Sequence, residues 1–173
     1  VSSLQEIHGS ANILPSAPYQ FLFSDFGGLN CIAPAEIRQW NTDVQEILTP
    51  DSWLGVVVMS RFTWWETFYF ILKGKPRAAF RRWSRKPVEA RLDAATTIST
   101  WYYTPGELAS LLPDFEVKNC FPIGFWLPPS YLDPFFQRRK GFLRVLNWLE
   151  KKSAARYLAP AADHYFLLLK RKD

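Results

Sequence analysis

The side chains most able to do chemistry in this 173-residue chain gather at a few points. Ser24, Asp25, Phe26 and Gly27 close a short apolar run that begins at Tyr19, and Asn30 follows shortly after. If that run is a strand of an open parallel sheet, the loop stands at a strand's carboxyl end, where such sheets bind ligands. The Asp25 carboxylate can act on a bound ligand, or it can turn the loop by accepting hydrogen bonds from nearby amides. Asn30 divides in the same way, since Asn also suits a turn or a helix cap. His164, beside Asp163, is a candidate base, or else a structural turn or an exposed titrating group. Arg61, Trp64, Trp65 and Phe68 can form one wall of a pocket, or a helix packed into the core. Arg81 and Arg82 set two guanidiniums side by side, a pairing that suits phosphate or carboxylate.

Other chemistries find little support. Cys31 and Cys120 lie far apart with no short ligand spacing, which argues against a zinc ribbon or a disulfide scaffold. We find no Gly-x-Ser-x-Gly elbow, so a hydrolase ranks last among the α/β enzymes.

These residues need elements to hold them. Tyr19–Ser24 (YQFLFS) reads as a buried strand running into a tight loop at Asp25-Phe26-Gly27-Gly28. Pro34-Ala35-Glu36 then opens a helix, with Ile37, Trp40, Val44, Ile47 and Leu48 spaced by threes and fours and a close before Pro50. WLGVVVM, from Trp53 to Met59, is apolar throughout, the pattern of a central strand covered on both faces. Strand, helix, strand with short connections is the unit of a parallel α/β sheet. Thr63 to about Leu72 is aromatic on all sides and predicts a deeply buried helix, ended by Gly74 and Pro76. Pro87 to Thr104 predicts two irregular strands of a hairpin. Thr104-Pro105-Gly106-Glu107 has the spacing of a capping box for a short helix ending near Leu112. Phe115–Trp126 predicts a strand that Pro122 places at an edge or breaks. A helix follows over Arg139–Lys152, with Phe142, Val145, Leu146 and Leu149 on one face, and His164–Leu169 predicts a last strand.

Hydrophobic residues at 48% and charged residues at 21% lie far from the composition of disordered chains, and the length fits a single domain over residues 1–173. The cysteine usage predicts a reduced, cytoplasmic protein. No apolar run reaches membrane-spanning length, and Val1–Ser10 lacks the pattern of a signal peptide. An initiator Met is also lacking, which hints that Val1 is not a native start. The net charge of +5 is uneven: eight basic residues fall between Lys73 and Arg91 against one acid, Glu89. Such a run is a solvated face, or it attracts an anionic substrate or nucleic acid.

The string FSDFGGLNCI, followed by WLGVVVM, YYTPGELASLLPDFEV, PPSYL and DHYFLLLKR, resembles the C-terminal half of class I S-adenosylmethionine-dependent methyltransferases over roughly residues 10–173. Several members of that superfamily carry a closely similar motif with Asn or Asp at the position of Asp25. The resemblance implies an α/β, Rossmann-like sheet, with YQFLFSDFGGLNC, WLGVVVM, FEVKNCFPIGFW and DHYFLLLKR as strands four to seven and the last strand antiparallel beside the fifth. It implies S-adenosylmethionine as cofactor, with Ser24, Asp25, Phe26 and Gly27 closing on its methionine end. Asp25, Asn30 and His164 are then the candidate catalytic groups. Arg61, Trp64, Trp65, Arg81, Arg82, Tyr102 and Tyr131 are candidates for binding the acceptor, the tyrosines, Tyr103 among them, because they lie in segments that cover the family's active site. The family's glycine-rich loop after the first strand and the acidic end of the second are not in this chain, and the Gly27-Gly28 pair does not replace them. The expectation is therefore the acceptor-side half of a methyltransferase, acting on a small molecule and inactive as this chain alone. It would be completed by a missing N-terminal half or by a homodimer through an exposed sheet edge. The rival expectation is a non-enzymatic module that binds nucleic acid or an acidic partner through residues 73–91. Nucleic acid is the less favoured partner, because only Phe80 and Trp83 interleave with the basic run.

Overall fold

The apolar run from Tyr19 forms strand β1 (Tyr19–Ser24) in the computed structural model, which describes residues 18–25, 27–91, 96–129, 132, 136 and 139–172. A tight turn over Gly28–Cys31 leads to helix α1 (Pro34–Asp43), with proline in its first turn and Glu36 accepting the Ala33 amide at 2.8 Å. The helix stops short of the predicted boundary near Pro50. A 3-10 turn at Val44–Glu46 follows, and strand β2 (Leu48–Met59) begins at once. Pairing decides this end, because Leu48 lies opposite Tyr19 and the Tyr19 amide donates to the Ile47 carbonyl. Pro50 is tolerated because the register jumps from Tyr19↔Leu48 to Phe21↔Trp53, leaving the intervening β2 residues outside the ladder.

Helix α2 (Trp64–Leu72) ends at Gly74, where φ is +66° and a side chain would be strained. The expectation of a deeply buried helix is corrected here. Phe68, Ile71 and Leu72 are exposed, and the buried residue of the helix is the acidic Glu66. Its neighbours are the short helix α3 (Pro76–Ala79) and a 3-10 turn, Arg81–Trp83, whose arginines draw that carboxylate inward. The expected hairpin forms as β3 (Val88–Arg91) and β4 (Thr97–Thr100). Helix α4 (Pro105–Leu111) carries the expected capping box. The Thr104 hydroxyl accepts the Glu107 amide at 3.2 Å, and the Glu107 carboxylate accepts the Thr104 amide at 2.9 Å. Strand β5 (Phe115–Ile123), helix α5 (Lys140–Lys152) and strand β6 (His164–Arg171) complete the chain. In α5 the apolar stripe is split: Leu146 is buried while Phe142 and Val145 are exposed.

The main sheet runs β1-β2-β6-β5. β1 and β2 are parallel, and the last strand enters antiparallel between β2 and β5. β5 is the outer strand, which is where Pro122 costs no ladder bond to a further neighbour. One face of the sheet is sealed: Leu54, Val56 and Val58 of β2 and Tyr165, Leu167 and Leu169 of β6 pack with Ile37 of α1 and Leu108 of α4. The other face is open. Phe21 and Phe23 are 52% and 50% exposed, and Trp53 is exposed beside them. The run WLGVVVM is thus covered on one face among the described residues, not on both as its composition predicts. Phe21, Phe23 and Phe166 converge over Gly55, where an added Cβ would meet their rings at 3.1–3.2 Å. Phe166 also stacks on Phe121 at 6.4 Å, extending an aromatic carpet across the sheet. Among the described residues no strand pairs with the free edge of β1, and no helix is long and apolar enough to cross a membrane.

Candidate functional site

β1 and β2 run in the same direction, so Ser24-Asp25 and Met59-Ser60 end at the same side of the sheet. β6 starts there as well, because its antiparallel register sets His164 opposite Met59. The fold therefore gathers Ser24, Asp25, Gly27 and His164 at one end, the crevice end of an open α/β sheet. Gly27, with φ +74°, donates its amide to the Val57 carbonyl at 3.1 Å and holds the loop across β2. A Cβ on Gly27 would lie 3.1 Å from Met59 Cε, and one on Gly28 would lie 3.2 Å from Ser24 Oγ. The left-handed backbone at Gly27 favours glycine there, and a side chain at either position would press on a neighbouring side chain. Asp25 is exposed on the rim, and its carbonyl accepts the Gly28 amide. Phe26 lies outside the described residues.

Asn30 is fully buried, and its side chain is committed to backbone. Nδ2 donates to the carbonyls of Met59 at 3.3 Å and Trp101 at 2.6 Å, while Oδ1 accepts the Met59 amide at 2.9 Å. It ties the β1 loop to the end of β2 and to the segment after β4. That arrangement makes Asn30 a positioning residue for the crevice. Tyr103 adds a second tie, donating its hydroxyl to the Ile32 carbonyl at 2.9 Å, and burial pushes its phenol well above the ordinary range.

His164 Nδ1 lies 3.2 Å from Asp163 Oδ2, and Arg82 lies 3.3 Å from the other carboxylate oxygen. Burial alone would raise the Asp163 carboxyl, but the hydrogen bond from His164 and the Arg82 charge outweigh it and hold the group below its usual value. Asp163 is therefore a carboxylate at neutral pH and orients the imidazole through Nδ1. The sequence sets Asp163 beside His164, and the fold turns that carboxylate onto Nδ1.

The remaining candidates are largely engaged within the protein. The anion held by Arg81 and Arg82 is the buried Glu66 carboxylate, at 2.6 Å and 2.7 Å. A carboxylate this buried persists as an ion only when paired, so the arginines and Glu66 stabilise one another. Arg82 also lies 4.8 Å above the Tyr102 ring. Arg61 is buried; it donates to the Tyr102 carbonyl at 2.8 Å and 3.1 Å and pairs with Glu107 at 2.7 Å. No local pattern in the sequence marks Glu66 as an arginine partner or pairs the capping-box acid Glu107 with Arg61, because these ion pairs join separate elements.

Trp64 and Trp65 join an aromatic cluster. Their rings lie 4.4 Å apart, with Phe125 at 5.8 Å and Trp126 at 6.4 Å from Trp64, and Trp64 Nε1 donates to the Phe125 carbonyl. Glu150 of α5 secures the loop from the far side, accepting the amides of Gly124 and Trp126 at 2.7 Å. No signal in the sequence marks Glu150, since its role depends on three successive amides turned toward it. Tyr131 lies outside the described residues. Cys120 is in the core, and burial pushes its thiol up to about 11, which leaves it inert as a nucleophile.

No protein-family model and no curated protein matches the chain. Solved structures do. The CcbJ methyltransferase of Streptomyces caelestis matches with a TM-score of 0.50 at 10% identity, over 92% of this chain and 63% of that one. An S-adenosylmethionine-dependent methyltransferase of Clostridium acetobutylicum matches at 0.47 and 6% identity, over 94% and 62%. One from Mesorhizobium loti matches at 0.47 and 10% identity, over 91% and 64%. This chain thus has a mixed α/β fold similar to that of the CcbJ methyltransferase, and it spans less than two-thirds of the length of each of these proteins.

Proposed function

We propose that the chain is the acceptor-side half of an S-adenosylmethionine-dependent methyltransferase, a single domain portion that acts on a small-molecule acceptor. The observation that carries this reading is the sheet order β1-β2-β6-β5, with the chain's last strand antiparallel between β2 and β5. In this reading β1, β2, β5 and β6 are strands four, five, six and seven of the complete sheet.

The crevice residues suit one end of the cofactor. S-adenosylmethionine supplies an electrophilic methyl group on a sulfonium, next to an amino acid end that carries an ammonium. The exposed Asp25 carboxylate complements that positive charge, and the glycines beside it let backbone approach closely. Among the described residues nothing provides a glycine-rich loop or an acidic strand end for the adenosine. The rest of the reaction asks for alignment and exclusion of water. Trp64 and Trp65 supply an apolar wall, Asn30 fixes the loop, and His164 Nε2 takes a proton from the acceptor while Asp163 holds Nδ1.

Completion of the sheet falls to a second polypeptide segment, either a missing N-terminal half or another copy. The open edge of β1 accepts a strand, and the aromatic carpet accepts apolar helices above it. The rival reading, a non-enzymatic module that binds nucleic acid or an acidic partner through residues 73–91, loses Arg81 and Arg82, which pair with Glu66.

Calorimetry separates these ideas. The 173-residue chain should show no tight binding of S-adenosylmethionine, whereas a version extended upstream as its gene encodes should bind one equivalent and transfer a labelled methyl group. Tight binding by the shorter chain would overturn the half-enzyme reading. Failure of the extended chain to bind would overturn the methyltransferase reading.

A further inference from the structure

A second apolar surface lies away from the carpet and differs from it in charge. Phe68, Ile71 and Leu72 at the end of α2 are exposed together with Phe80 and Trp83, and Leu72 is 70% exposed. They form one patch. Phe68, Ile71 and Trp83 line a shallow groove of about 300 Å³ with Phe62, Trp64 and Thr67, and the Phe80 and Trp83 rings meet edge to face at 5.0 Å. The tip is ordered by backbone bonds, since the Gly74 amide donates to the Ile71 carbonyl and the Lys75 amide to the Phe70 carbonyl, both at 2.9 Å.

The segment that carries this patch is rich in cations. Trp64 to Val88 holds seven basic residues and one acid, Glu66, which is buried and already paired with Arg81 and Arg82. Lys73 and Lys75 flank the tip immediately after Leu72, Arg77 and Lys86 are exposed further along, and Arg85, also exposed, lies 3.5 Å from Glu107. By contrast, the carpet on the open sheet face has Lys170 nearby, and that ammonium sits 2.6 Å from Asp51.

We propose that the end of α2, α3 and the Arg81–Trp83 turn dock the protein onto an anionic lipid bilayer. Apolar and aromatic side chains enter the headgroup boundary while lysines reach lipid phosphates from their flexible stems. The exposed aliphatic side chains Ile71 and Leu72 favour this partner over nucleic acid, because they have no π face on which a base could stack.

The test is sedimentation of the full chain with vesicles of phosphatidylcholine alone and of phosphatidylcholine mixed equally with phosphatidylglycerol. Binding should appear on the mixed vesicles, be weak on the neutral ones and fall as salt is raised. Lys73→Glu with Lys75→Glu should weaken it at least about tenfold, given a loss of about fivefold per cation at such a surface. Ile71→Ser with Leu72→Ser should also cost roughly tenfold, and Leu72→Ser alone, at the most exposed site of the patch, provides a variant that disturbs no packing. Phe23→Ser on the carpet and Trp148→Ser on α5 should leave binding unchanged. The proposal is overturned by no binding to mixed vesicles, by loss through the carpet or α5 variants instead, or by insensitivity to the apolar substitutions. It is also overturned if the same variants abolish binding of single-stranded RNA while vesicles are ignored.

Discussion

The two faces of the main sheet are made of similar residues and have opposite fates. Leu54, Val56 and Val58 of β2 are sealed under α1 and α4, whereas Trp53 of the same strand and Phe21 and Phe23 of β1 stand open. Strand alternation sends neighbouring residues to opposite faces, so both faces of an apolar run are equally apolar. The difference teaches that this sheet is suited to burial on both sides and that the described chain supplies cover for one. The same contrast recurs on the surface, where an uncharged carpet beside a free strand edge suits polypeptide and a patch on a cation-rich segment suits anionic lipid.

Stability measurements can break this contrast most directly. Leu167→Ala on the sealed face should cost about 2–5 kcal/mol in urea unfolding, while Phe23→Ala on the open face should cost at most about 1 kcal/mol. Equal losses would mean that the open face is covered after all. A smaller, pH-dependent effect belongs to the crevice end. Because the folded Asp163 carboxyl lies below its ordinary value, its contribution is complete above the unfolded value of about 4 and is lost as pH falls through the folded value. Asp163→Asn should therefore narrow the drop in unfolding midpoint between about pH 7 and about pH 3, and an unchanged drop would show that Asp163 is not the group responsible.

Gly55→Val probes the carpet from beneath. Three phenylalanine rings would have to move, but they can swing into solvent, so a loss near 1 kcal/mol is expected instead of the ~3 kcal/mol of an overpacked closed core. The smallest stability change, within about 0.5 kcal/mol, should come from Phe21→Ser combined with Phe23→Ser. Those substitutions should nonetheless lower binding of a hydrophobic dye and reduce self-association in ultracentrifugation. Unaltered dye binding would place the sticky surface elsewhere.

Local signals were legible where the chain carries its own chemistry. The Thr104–Glu107 capping box, the Pro122 edge position and the hairpin before Thr104 follow from residues close in sequence, and each forms as read. The end of α1 was misplaced because Leu48 is claimed by a strand partner, Tyr19, that helical periodicity does not register. The crevice was partly legible: Asp25 and His164 were identified as candidates, and the sheet places them at one end. The hidden parts were the groups whose meaning depends on a distant partner, such as Glu66 under two arginines and Glu150 beneath the Gly124–Trp126 amides.

By itself, then, the sequence determined which segments become strands and helices, their order, and which residue types stand at a strand's carboxyl end, because periodicity, caps and turns act over a few residues. Only the tertiary structure decided which apolar face is sealed, which arginines are spent on internal carboxylates and that Asn30 is a tie to the backbone. Those outcomes are set by pairing and burial between segments far apart in the chain, and no local pattern encodes them.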